Sequence, residues 1–222
     1  MSRFQATFRE KSFLHAPWEA PPGRSSCRSR NPFSRKQGFH AVAPELYARI
    51  GNPAALTDIK AVVALVNQAP DRQAWSDLDR TIAWAAGEGG DATRVGITGW
   101  CRGGRMVWMY ASHNPALKAG VAWYGPLGGT PSAAMPTTPL DVAGTIRVPI
   151  LGLYGGQDQG IPQSDIAEME RRLKASGEAC RFVVYPDAGH GFNADYRESY
   201  NAADAADGFA QCIAWLHEHG VR

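Results

Sequence analysis

Residues Val95-Gly96-Ile97-Thr98-Gly99-Trp100-Cys101-Arg102-Gly103-Gly104 run from a short apolar strand through a Gly-x-Cys-x-Gly turn into a helix. Few folds accommodate that. The strand must lie inside a sheet, and the helix must turn back over it at once. A sharp strand-to-helix turn lifts one side chain above the sheet edge, and glycines on both sides let the backbone pass close to neighbouring elements. Cys101 is the lifted residue. The N–H of Arg102 would then point to where an oxyanion forms. The helix N-terminus beneath favours thiolate over thiol. Taken alone, the pattern also fits a buried structural cysteine, since free Cys is often buried.

The downstream order favours the first reading. Val148-Pro149-Ile150-Leu151-Gly152-Leu153-Tyr154-Gly155 reads as a buried parallel strand and leads directly into Gly156-Gln157-Asp158. Phe182-Val183-Val184-Tyr185 reads as another strand, followed by Pro186-Asp187-Ala188-Gly189-His190-Gly191-Phe192. An acid and a base therefore each follow the C-terminal end of a strand, where open α/β sheets place their sites. Asp165 and Asp187 compete with Asp158 for the acid, but Asp158 follows its strand directly.

Gly-Trp-Cys-Arg-Gly-Gly, Tyr154-Gly155-Gly156-Gln157-Asp158 and Ala188-Gly189-His190-Gly191-Phe192 together resemble the dienelactone hydrolase (carboxymethylenebutenolidase) family of α/β-hydrolases. Ala43-Pro44-Glu45-Leu46-Tyr47-Ala48-Arg49 and Ala119-Gly120-Val121-Ala122-Trp123-Tyr124-Gly125 match as well. The resemblance runs from about Gly38 to the C-terminus. It implies Cys101 as nucleophile, His190 as base, Asp158 as orienting acid and the Arg102 backbone N–H as an oxyanion donor. The family's arginine for a substrate carboxylate comes four residues after the histidine, where this chain has Ala194; Arg197 is the weaker candidate. Trp100, Tyr124 and Phe192, with Trp123, flank the expected site and serve equally as core or substrate wall.

Upstream the resemblance stops. The family begins with paired strands, then a buried strand whose loop carries an activating Glu and the second oxyanion N–H. Residues 1–37 hold no run of four strand-like apolar residues, and Glu10 and Glu19 lack the matching context. The segment holds eight Lys/Arg against two Glu and is rich in Pro and Ser. Residues 1–37 are therefore expected to be irregular, and 38–222 to form one α/β-hydrolase domain lacking the usual first strands. Helices over 53–68, Gln73–Ala86, Ser164–Ala175 and Asn201–Glu218 alternate with strands at Phe39–Ala43 and Gly120–Tyr124, so the sheet is expected to be mostly parallel with helices on both faces. Residues 125–147 read as a long loop.

Composition narrows the rest. Net charge is +2, but the basic excess lies in 1–37, and the acidic remainder argues against nucleic acid. No stretch reaches membrane-spanning length and no apolar leader core opens the chain. Cys27, Cys101, Cys180 and Cys212 show no metal-ligand spacing, so no metal or cofactor is expected, and a reduced, cytoplasmic setting suits them. Cys180, Cys212 and the remaining histidines read as structural. The expected activity is hydrolysis of a small ester or lactone through a thioester acyl-enzyme, by a monomer or small homo-oligomer. With half of the oxyanion hole unassigned, the expected rate is about 10²–10³ below that of a complete site. The alternative is a catalytically impaired, truncated remnant of such a hydrolase.

Overall fold

The structure, a computed structural model, describes residues 12–16, 39–177 and 179–221. Its strands are β1 (Ser12–Ala16), β2 (His40–Val42), β3 (Gly96–Trp100), β4 (Ala119–Trp123), β5 (Ile150–Gly155) and β6 (Arg181–Tyr185). They form one sheet in the order β2-β1-β3-β4-β5-β6, every pair parallel. β3, β4 and β5 are buried along their whole length. This explains their largely apolar and glycine composition, with Thr98 of β3 donating its hydroxyl to Val121 O: a parallel sheet is covered on both faces.

The helices are α1 (Ile59–Val66), α2 (Asp71–Gly87), α3 (Arg102–His113), α4 (Pro139–Val142), α5 (Gln163–Ser176) and α6 (Ala202–Glu218). Two glycines show which faces they cover. Gly96 stands beside Ala119, and a Cβ on it would meet Leu216 of α6 and Val221 at 2.9 Å. Gly120, the next residue along β4, would meet Val107 of α3 at 2.8 Å. Successive strand residues point to opposite faces. Thus α3 and α6 sandwich the sheet, as the alternation of elements predicts.

The helix limits follow local chemistry. Asp58 caps α1 by accepting from Lys60 and Ala61 N–H, and Asn201 caps α6 through Ala203 and Asp204 N–H. Gly177 ends α5 with φ 78°, a left-handed conformation that glycine adopts freely.

Two expectations meet a different outcome. Residues 1–37 are not irregular throughout, because Ser12–Ala16 is a strand at an interior position of the sheet. Ser-Phe-Leu-His-Ala is too short and mixed to be recognised by an apolar run; parallel ladders on both sides, to β2 and β3, define it. β3 is therefore an interior strand, paired with β1 on one side and β4 on the other. The paired first strands are not seen, since no two strands among the described residues run antiparallel. The loop 125–147 contains α4 and a 3₁₀ turn, Ala143–Thr145. Thr138 and Asp141 form a capping box around Pro139, a start signal hidden among prolines and threonines.

Candidate active site

Cys101 sits between β3 and α3 with φ 51° and ψ −117°. A residue with a Cβ adopts this conformation only when its surroundings impose it. Here the Cys101 N–H donates to Trp123 O at 3.0 Å and the Cys101 carbonyl accepts from Arg105 N–H at 3.0 Å. Close packing of glycine backbone completes the clamp. A Cβ on Gly99 would lie 2.4 Å from Gly103 O, and one on Gly104 would lie 2.5 Å from Trp123 O. Both contacts are with backbone, which cannot swing aside. Gly99→Ala is therefore expected to lower stability by about 3 kcal/mol, read as the shift in urea unfolding midpoint at unchanged slope.

Above the elbow, His190 Nε2 stands 3.3 Å from Cys101 Sγ, and His190 Nδ1 stands 2.7 Å from Asp158 Oδ2. Asp158 extends past β5, and its other oxygen accepts the Gly160 N–H at 2.8 Å. The carboxylate is nearly closed off, with 1% of its side chain exposed, whereas the histidine keeps 30%. The two loops are latched together: Gly156 N–H donates to Tyr185 O at 2.7 Å and Gln157 N–H to Ala188 O at 2.9 Å. Ser199 Oγ donates to His190 O at 2.7 Å, and Tyr124 packs edge-on against the imidazole at 5.1 Å. Asp158 and Tyr124 hold the ring itself, and Ser199 holds the backbone that carries it.

Burial of His190 works against its charged form. The hydrogen bonds to Asp158 and Cys101, with their negative charge, outweigh that and raise its pKa to about 10. The ring is therefore poised as an imidazolium at neutral pH. Because this pKa lies above the value of about 6.5 in an unfolded chain, the stability it contributes is full below about pH 6.5. It is lost as pH rises through about 10.

Arg102 opens α3, and among the described residues its backbone N–H has no hydrogen-bond partner. Such a first-turn amide is free to receive an acceptor. The arginine side chains of this helix are not on the surface: Arg102 is 8% exposed and Arg105 is 6% exposed. Arg105 donates to both oxygens of the buried Asp71, at 2.7 and 2.8 Å, and to Thr137 O at 2.7 Å. Burial pushes the pKa of Arg102 down and Arg105 repels it, while Tyr47, Asp71 and Cys101 pull it up.

The flanking aromatics are placed differently from one another. Trp100 stacks on Trp123 at 5.7 Å and donates its indole N–H to Asn193 Oδ1 at 3.0 Å, tying β3 to the histidine loop. Tyr124 and Phe192 are fully buried and present no surface to a substrate; they pack against His190 and Tyr185 respectively. Arg197 lies over Gly191, where a Cβ would come within 2.9 Å of its Cδ. Asp187 is exposed and Asp165 lies against Gly128, so neither takes the place of Asp158. Burial pushes the Cys212 thiol up, and Cys180 is half-buried beside Val148 O. Cys27, Glu10 and Glu19 lie outside the described residues. Sequence reasoning missed Asp71, Asn193 and Ser199, which carry no local signal of their contacts.

Among the described residues, no cluster of three His, Cys, Asp or Glu could hold a metal ion, and no helix is long and apolar enough to cross a membrane.

Known proteins share this fold and family. The model of the dienelactone hydrolase family matches residues 34–220. A protein of Methylorubrum extorquens named "Putative carboxymethylenebutenolidase" is 54% identical over 188 residues, which are 84% of this chain and 65% of the relative. A protein of Escherichia coli (strain K12) with the same name is 50% identical over 185 residues, 83% of this chain and 68% of the relative. The chain thus spans about two thirds of the length of these relatives. The crystal structure titled "Putative Dienelactone Hydrolase" from Klebsiella pneumoniae superposes with a TM-score of 0.84 at 40% identity, covering 96% of this chain and 89% of that one. The sheet order, the elbow and the two loops are those of an α/β-hydrolase, and the chain belongs to the dienelactone hydrolase family.

Proposed function

We propose that this protein hydrolyses a small ester or lactone at Cys101 through a thioester intermediate. The observation that carries the reading is the continuous line from Asp158 through His190 to the sulfur of a strained elbow cysteine. The names of its relatives point to the same class of bond. The Cys101 thiolate attacks the carbonyl carbon, and the oxyanion takes the Arg102 N–H. As the carbonyl re-forms, the C–O bond breaks and the His190 imidazolium gives its proton to the leaving oxygen. His190 then removes a proton from water. The hydroxide attacks the thioester and the C–S bond breaks, releasing the carboxylic acid and the Cys101 thiolate with His190 again an imidazolium. Asp158 holds the ring in the tautomer that presents Nε2 to the sulfur. A reducing, cytoplasmic setting keeps Cys101 as a thiol for this work.

The test is to quench turnover of p-nitrophenyl acetate rapidly and analyse the peptides by mass. An acetyl group on the Cys101 peptide is expected. Turnover with Cys101 unmodified would overturn the mechanism, and a folded protein without turnover would favour the impaired remnant. Dienelactones assayed in parallel report the substrate class.

The pH profile gives a second check. A neutral base alone predicts a rise and then a plateau. With His190 raised to about 10 and acting as acid toward the leaving oxygen, the plateau is expected to end in a fall centred near pH 10. A profile still level well above that pH would show that the leaving group needs no proton from His190.

A further inference from the structure

The elbow reaches the base loop through the meeting of His190 Nε2 with Cys101 Sγ at 3.3 Å, and again through their neighbours in the chain. Trp100, the residue before Cys101, donates its indole N–H to Oδ1 of Asn193, three residues after His190, at 3.0 Å. An indole N–H only donates, so the amide oxygen of Asn193 must face it. A loop asparagine ordinarily bonds the backbone of its own turn. Among the described residues the Asn193 side chain makes no such bond and reaches across 93 positions instead. The acid and base loops are joined differently, backbone to backbone, through Gly156 N–H and Gln157 N–H. Phe192, fully buried against Trp123, Tyr124 and Tyr185, anchors the base loop by apolar packing. Such packing is non-directional, whereas a hydrogen bond fixes a distance and an angle. The turn closed by Ala194 N–H on Gly191 O, at 2.9 Å, contains Asn193 and begins next to His190. A shift at Asn193 therefore reaches the imidazole.

We propose that Asn193 and Trp100 are positioning residues, whose hydrogen bond sets the reach of His190 Nε2 to the Cys101 sulfur. The proposal rests on Cys101 and His190 being nucleophile and base. Reacting atoms must meet within about 3–3.5 Å, and a displacement of about 1 Å can cost about 10²-fold in rate. The 3.3 Å between Nε2 and Sγ lies inside that window with little margin. Cys101 cannot move to make up a shift, because Trp123 O and the Gly99–Gly103 contact clamp its backbone. The base loop must therefore be brought to the sulfur. Trp100 is the fixed point to which it is brought: it is buried, it ends the same interior strand, and it stacks on Trp123 at 5.7 Å.

The experiment uses three variants of the full chain. Trp100→Phe keeps a ring against Trp123 and loses the N–H, Asn193→Leu loses the acceptor, and Asn193→Asp keeps an oxygen for the indole. Two rates are read: kcat/KM for p-nitrophenyl acetate, and alkylation of Cys101 by iodoacetamide at neutral pH, followed on the Cys101 peptide by mass spectrometry. Trp100→Phe and Asn193→Leu, each folded by circular dichroism, are expected to lower kcat/KM by about tenfold or more. The double variant is expected to lose no more than the worse single one, and Asn193→Asp to return most of the loss. Undiminished kcat/KM in folded Asn193→Leu or Trp100→Phe would overturn the proposal, and either variant carries the test if the other fails to fold. Alkylation needs no ester, so absent turnover would count against the hydrolase reading and leave alkylation to judge the pair. His190→Ala and Asn193→Leu are each expected to slow it by about threefold or more, since a thiol without its cationic partner is less ionised. Added to His190→Ala, Asn193→Leu is expected to change nothing, because it acts through the histidine. A further slowing there, or no slowing by Asn193→Leu alone, overturns the proposal. Alkylation that His190→Ala leaves unchanged overturns it as well, together with the role of His190.

Discussion

Cys101→Ala is expected to lower hydrolysis of p-nitrophenyl acetate by about 10⁴-fold or more, with the fold intact. The substitution removes the sulfur that His190 Nε2 faces at 3.3 Å and leaves the oxyanion donor and the clamp around residue 101 in place. Alanine has a Cβ, as cysteine does, so the strained backbone at φ 51° costs neither residue more than the other. His190→Ala is expected to cost a similar factor. The double variant should be little worse than either single one, because nucleophile and base act as a unit. The checks are kcat/KM for wild type and the three variants, with circular dichroism and thermal unfolding to establish the fold. Equal rates for wild type and Cys101→Ala would remove Cys101 from the chemistry. Additive losses in the double variant would mean that the two side chains act separately.

Asp71→Ala is expected to be the most destabilising of the substitutions considered, by about 3–5 kcal/mol. Asp71 is 2% exposed, and its carboxylate receives two hydrogen bonds from Arg105. Removing it leaves two buried guanidinium groups with no ion-pair partner among the described residues. Arg105 would keep Thr137 O, but that carbonyl carries no net charge to match it. The loss also unties α2 from α3 at the end nearest the elbow. Urea unfolding at neutral pH reads the effect directly. A loss below about 1 kcal/mol would mean that water reaches the cluster and screens it as at an exposed ion pair.

Much of the site could be read from the chain alone because its signals are local. Gly99, Cys101, Gly103 and Gly104 lie within one turn, and the clash that a Cβ on Gly99 would cause explains the glycine there. Asp158 and His190 each follow an apolar run that reads as a strand, the first of them buried throughout, and a parallel sheet puts such loops on one edge. Helix limits were legible to within a few residues where a cap or a glycine stands at the boundary, as at Asn201 and Gly177.

Other features depend on partners distant in the chain. β1 has little strand character of its own and exists through its ladders to β2 and β3. Tyr124 and Phe192 have the composition of a substrate wall, but packing turns both fully inward. The state of Arg102 is the clearest case. In sequence it is a basic residue at the start of a helix, ordinarily exposed. Its burial follows from Ala69 and Asp71, the latter 34 residues before Arg105 and claimed by it. Local composition and spacing therefore determined the elbow, the acid loop and the base loop, because backbone geometry within a turn sets those features. The interior strand β1 and the burial of Arg102 were decided by tertiary structure, because strand pairing and burial depend on which distant groups the fold brings into contact.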